Sequence, residues 1–140
     1  YFMSKYTKAR EIIEKEIQDN IKTVDGYCEY CKDMPDDVWQ KHNHLFQTEG
    51  LMYTNQVLKS MLKRTDFSAD ENMNNSMRYV MLIETFEEVR KQAAIDANSI
   101  YGCGQNIENL YYQRTMFIVS YVAMQLNKIY MKLCNISEEK

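Results

Sequence analysis

Little in this chain punctuates it: among 140 residues there is one proline, Pro35, and only four glycines. A fold of many short strands draws on those two residues for its tight turns, so their scarcity argues against all-β architectures and for long helices. Long apolar runs are missing too. The strongest, Met116 to Met124, is interrupted and too short to cross a bilayer, so no membrane span is expected. Nor is there an excess of basic charge. Seventeen Lys and Arg against twenty Asp and Glu leave a net charge of −3, whereas a nucleic-acid partner needs a basic face to neutralise its phosphates. Lys59, Lys63 and Arg64 read as helix-surface decoration, and nucleic acid is not the expected partner.

The motifs of catalysis are also lacking. There is no Gly-rich phosphate loop, no Ser or Cys with a recognisable base motif, and no E-x-x-H pair of the di-iron bundles. Glu84, Glu87 and Glu88 lie beside Arg90 and Lys91 as a solvated helix face would. His42 and His44 on one helix point about 200° apart, a poor chelate. The expectation is a non-enzymatic protein with no catalytic residue, no metal ligand and no cofactor.

What is present is apolar periodicity. Hydrophobic residues make up 45% of the chain, enough for a packed core, and the length suits a single helical domain over 1–140. From Ser4 to Lys32, Tyr6, Ala9, Ile13, Ile17, Ile21, Val24, Cys28 and Cys31 recur every three or four residues and draw one stripe on a helix. Pro35, with Asp36 and Asp37 after it, predicts the first turn of a second helix running to about Arg64. Its inward candidates are Val38, His42, Leu45, Met52, Leu58 and Met61, and Gly50 is placed to divide it. Ser68 and Glu71 form a capping box for a third helix carrying Met73, Met77, Val80, Ile83, Phe86, Arg90, Ala93, Ala97 and Ile100. Gly102-Cys103-Gly104 ends it. Asn106 caps a fourth helix with Ile107, Leu110, Arg114, Phe117, Tyr121, Met124, Lys128 and Ile129. Around Met116 to Met124 apolar residues wrap most of that helix, which makes it the central element. The reading is all-α: an antiparallel bundle of about four long helices, with breaks allowed, stapled by disulfides.

The staples rest on four cysteines, Cys28, Cys31, Cys103 and Cys134, an even count in a small chain. Reduced buried thiols are the alternative, and a redox pair or half zinc site at Cys28-Glu29-Tyr30-Cys31 a further one. Pairing meets a geometric difficulty. Cys134 lies about 45 Å along an unbroken helix from Cys103, and a disulfide needs Cα atoms within about 7 Å. A break in the fourth helix, a partner chain or a free Cys134 would each resolve it. The favoured arrangement is a break that lets Cys28 and Cys31 bond separately with Cys103 and Cys134. Disulfides imply a secreted, extracellular protein, and the triplets Asn74-Asn75-Ser76 and Asn135-Ile136-Ser137 would suit that route. The sequence opens at Tyr1 with no initiator Met; a removed signal peptide or a cropped sequence would each account for that.

Ten methionines and eleven tyrosines complete the picture. Methionine adapts to irregular contacts, and tyrosine carries a large apolar body with one polar tip. Trp39, Tyr111, Tyr112 and Tyr130 are the candidate binding-surface aromatics, although for Trp39 a core anchor is the first reading and a binding hot spot the second.

The Cys28, Tyr30 and Cys31 element, followed by Tyr101-Gly102-Cys103 and Tyr130-Met131-Lys132-Leu133-Cys134, resembles the bicycle proteins of gall-forming aphids. These are named for paired Cys-Tyr-Cys motifs and are secreted from salivary glands into plants. The resemblance implies a helical effector that acts on a host macromolecule by binding, with no catalytic residues to carry over. A small-molecule carrier resembling insect odorant-binding proteins is the second reading. A structural or oligomerising module is the third, because the stripe of the first helix could equally pack against another copy.

Overall fold

The computed structural model describes residues 3–67, 73–102 and 110–136. All of its regular structure is helical: α1 (Lys5–Cys31), α2 (Trp39–Phe67), α3 (Asn75–Gly102) and α4 (Leu110–Cys134). Their starts follow from local chemistry. Ser4 is extended before α1 (φ −66°, ψ 156°) and its hydroxyl accepts the Thr7 N–H at 3.1 Å. Asn74 does the same for α3, its Oδ1 accepting the Met77 N–H at 2.9 Å. The capping box expected at Ser68 and Glu71, and the cap expected at Asn106, lie outside the described residues.

Two expected interruptions do not occur. α2 runs through Gly50 for 29 residues without a break, and α4 is continuous for 25 residues to Cys134. Pro35 sits outside α2 rather than in its first turn. The Met34 N–H bonds to the Cys31 carbonyl and the Val38 N–H to that of Pro35, so two successive turns join α1 to α2. Lys41 holds them there, its ammonium donating to the Met34 carbonyl at 2.9 Å and the Asp36 carboxylate at 2.7 Å. That exposed carboxyl is drawn below its ordinary pKa by the Lys41 hydrogen bond and charge.

Sequential helices run antiparallel. Tyr6 and Arg10 at the start of α1 meet Asp66 at the end of α2, and the Tyr79 hydroxyl on α3 donates to the Leu133 carbonyl on α4. Side by side across the bundle, however, α2 and α4 run in the same direction: Phe46 packs on Phe117, and four residues further along both helices Gly50 meets Tyr121. α1 and α3 are likewise parallel where Ser4 meets Asn75 and Lys5 lies over the Tyr79 ring.

All four helices contribute to one apolar core: Ala9, Ile13 and Ile17 of α1, Leu58, Met61 and Leu62 of α2, Leu82 and Phe86 of α3, and Leu126, Ile129 and Leu133 of α4. Burial of such residues is the main force holding the helices together. Polar residues fix their register. In α1 the seam leaves Ile21, which is exposed, and takes Asn20 instead. The buried Asn20 amide donates to Asn55 Oδ1 at 2.9 Å, and Asn55 donates to the Ile17 carbonyl at 3.2 Å. At the far end Arg10 clasps both Asp66 oxygens, and the Tyr6 hydroxyl donates to the same carboxylate at 2.6 Å. Burial, then the Asp66 hydrogen bond and charge, push the Tyr6 pKa up to about 12.

Candidate functional site

The disulfide frame is not formed among the described cysteines. Cys28 and Cys134 are exposed free thiols and Cys31 is a buried one; Cys103 lies outside the described residues. Helix geometry explains this. Residues three apart on a helix keep Cβ atoms about 5–6 Å apart, and a disulfide needs about 3.5–4.5 Å. Cys134 closes an unbroken α4 at the opposite end of the bundle from Cys31, so the fold-back its pairing required is absent.

The four surface aromatics do not form one patch. Trp39 is 74% exposed at the start of α2, which excludes the core-anchor role. Tyr112 is half-buried with its hydroxyl donating to the Ile100 carbonyl at 2.5 Å. Tyr130, at the other end of α4, packs on Phe86 and lies under the Arg90 guanidinium at 4.6 Å. The Cys134 thiol beside it and desolvation raise its pKa. The side chain of Tyr111 is outside the described residues. His44 is sandwiched, stacked on Tyr27 at 4.8 Å and meeting the Tyr30 ring edge-on at 5.2 Å. Glu87 bonds Lys91 one turn on, as a helix-surface pair does. Among the described residues no three His, Cys, Asp or Glu side chains gather as metal ligands, and no helix is long and apolar enough to cross a membrane.

Sequence periodicity missed the outer face of α2. Met52, whose spacing predicts an inward position, is 53% exposed, and Tyr53 beside it 51%. The α2 seam runs instead through Thr48, Leu51, Thr54, Asn55, Leu58, Met61 and Thr65, and its polar members disguise it. Two of these threonines are satisfied within the helix: Thr54 donates to the Gly50 carbonyl and Thr65 to that of Met61. The three-and-four spacing of that seam, once threonine is allowed inside, is the signal that turns Met52 and Tyr53 outward.

Next to Tyr53 a cleft of about 430 Å³ opens between α2 and α3, with α4 beneath it. Val57, Ala93, Ile118, Val119 and Val122 supply its apolar lining; Tyr53, Gln56, Asp96 and Thr115 add polar groups. At its lip Arg114 grips Glu49 with two bonds, Nε to Oε1 at 3.2 Å and a terminal nitrogen to Oε2 at 2.5 Å. Beside the cleft α4 lies close against α2. A Cβ on Gly50 would stand 2.6 Å from the Tyr121 ring, a distance real Cβ atoms do not tolerate. Tyr121 stacks on Phe117 at 5.8 Å, and burial together with the neighbouring Tyr27 raises its hydroxyl pKa. The arrangement offers an apolar trough with a charged rim, which is equipment for binding.

Compared with known proteins, this bundle finds no matching family model, curated protein or solved structure.

Proposed function

We propose that this chain is a secreted, non-enzymatic binding protein that engages a host protein through the cleft between α2, α3 and α4. The supporting observation is the cleft itself: an apolar trough open to solvent, flanked by the exposed Tyr53 and edged by the Glu49–Arg114 pair. An apolar floor supplies affinity when it is covered, and polar groups at the rim fix the orientation of what covers it. Tyrosine and methionine at half exposure suit such a face, because they present large contact areas to partners of irregular shape. The trough fits a short apolar segment of another protein, such as one face of an amphipathic helix. Its open shape favours a protein segment over a sequestered small molecule, for which a carrier uses an enclosed cavity.

The test is site-specific cross-linking in extract of host tissue. A photoreactive residue at position 53 is expected to give a discrete adduct with one host protein. The same group at Lys15, an exposed α1 position away from the cleft, should not. Val119→Glu places a carboxylate in the trough and should abolish the adduct while leaving the helical circular dichroism unchanged. Equal cross-linking from both positions, or an adduct indifferent to Val119→Glu, would remove the cleft from the function.

A further inference from the structure

Adjoining the cleft along α2 lies a second groove, of about 310 Å³, lined by Ile21, Val24 and Asp25 of α1 and Met52, Asn55, Gln56 and Lys59 of α2. We infer that this groove takes a second copy of the same chain, with α2 of one protomer antiparallel to α2 of its partner across a two-fold axis.

The charges carry the inference. Asp25 and Lys59 are the two charged residues lining the groove, both exposed and neither in an ion pair within the described residues. They stand at opposite ends. Asn20 and Asn55 mark the level at which α1 and α2 cross-bond. Asp25 lies five residues beyond Asn20 in one direction and Lys59 four beyond Asn55 in the other. At 1.5 Å per helical residue the two charges are separated by about 13 Å along the bundle. Between them Ile21 is 38% exposed and Met52 53%, and these are apolar groups without a cover. A surface with an anion at one end, a cation at the other and an apolar middle is its own complement under a two-fold rotation. The rotation sets Asp25 against Lys59 of the partner subunit, repeats that pair at the other end, and covers Met52 and Ile21 with their counterparts. An unrelated partner would have no need of this antisymmetric pattern. The groove adjoins the cleft proposed for the host protein, with Gln56 lining both, but it shares none of the cleft's charged groups, and self-association is measured on the chain alone.

Sedimentation equilibrium on the full chain, over a concentration series reaching about 200 µM, should show a reversible dimer. Asp25→Lys and Lys59→Asp each place two like-charge pairs in the dimer and should weaken association about tenfold or more. Both positions are exposed, so helical content should not change. Mixing the two variants gives a heterodimer in which both pairs have opposite sign again, and association should return; the double variant should likewise dimerise with itself. Met52→Asp provides an independent break by setting carboxylates into the apolar centre. A wild-type chain that stays monomeric throughout overturns the inference and leaves the groove to another occupant. Single variants that dimerise as well as wild type, or a mixture that fails to recover, overturn it equally.

Discussion

Two glycine-to-alanine substitutions, both inside helices, should differ in their effect: one stabilises and the other does not. Alanine is favoured over glycine in a helix interior by about 1 kcal/mol, because glycine loses more backbone freedom on folding. At Gly26, on α1, an added Cβ meets nothing within 4 Å, so Gly26→Ala should gain about 1 kcal/mol in full. At Gly50 the same gain is opposed. The Cβ would lie 2.6 Å from Tyr121 Cδ1 and 3.4 Å from both Cγ and Cε1, so the ring itself must move. It cannot swing freely, being stacked on Phe117 with 12° between the planes. Overpacking of this kind costs about 1–3 kcal/mol, which leaves Gly50→Ala between neutral and about 2 kcal/mol destabilising. Urea denaturation of the two variants should therefore separate them by about 1–3 kcal/mol, with unchanged slope. Shortening the ring should release the strain, so in a Tyr121→Leu background Gly50→Ala should recover most of its helix-propensity gain. If both substitutions stabilise alike in the parent chain, α2 and α4 do not approach as described.

Other expectations concern the polar joints and the thiols. Asn20→Leu leaves Asn55 Oδ1 buried without its donor and should cost about 1–3 kcal/mol, whereas Asn20→Leu with Asn55→Leu should be much milder; equal loss in both would deny the pair its role. Tyr6 has its folded-state pKa raised to about 12 from 10.0, so its contribution is fully present below pH 10 and lost as pH rises towards 12. Urea midpoints across that window should fall more steeply for wild type than for Tyr6→Phe, and parallel curves would refute the reasoning that burial and the Asp66 hydrogen bond hold the Tyr6 phenol neutral. In native, unreduced protein, peptide mapping after alkylation should find Cys28 and Cys134 modified and Cys31 modified only on unfolding. Protection of Cys28 and Cys134 until reduction would restore the disulfide frame.

The helices were legible because their apolar spacing is strong where the core is thickest. Ile13, Ile17, Leu58, Met61, Phe86 and Ile129 were all expected inside and all are buried. Periodicity went astray where polar residues occupy seam positions. Asn20 displaces Ile21 because an amide with a bonded partner can be buried without penalty, and no apolar scale registers that. The α2 threonines hide its inner face in the same way, which is why apolar spacing alone turns Met52 inward. α4 was expected to be the most buried helix, yet Met124 within its apolar run is 50% exposed. Its excess of apolar surface lines an open cleft in part, through Ile118, Val119 and Val122. Neither the pairing of α2 with α4 nor the cleft could be read from the chain, because both depend on which helices become neighbours.

Gly50 links the packing to the proposed function. Glu49 precedes it and holds Arg114, while Tyr121 seats against Gly50 itself, so two contacts about two turns apart on α4 converge on adjacent residues of α2. The segment of α4 between them carries Thr115, Ile118 and Val119, which line the trough. Displacing Tyr121 must therefore tilt or lift this segment relative to α2, and the trough changes width with it. Gly50→Ala should accordingly weaken host-protein cross-linking from position 53 even under conditions where the variant remains fully folded. Gly26→Ala, which alters a helix with no residue in the cleft, should leave cross-linking intact. If the two variants cross-link equally well while differing in stability, the helix approach at Gly50 matters for folding alone and the trough is shaped by something else.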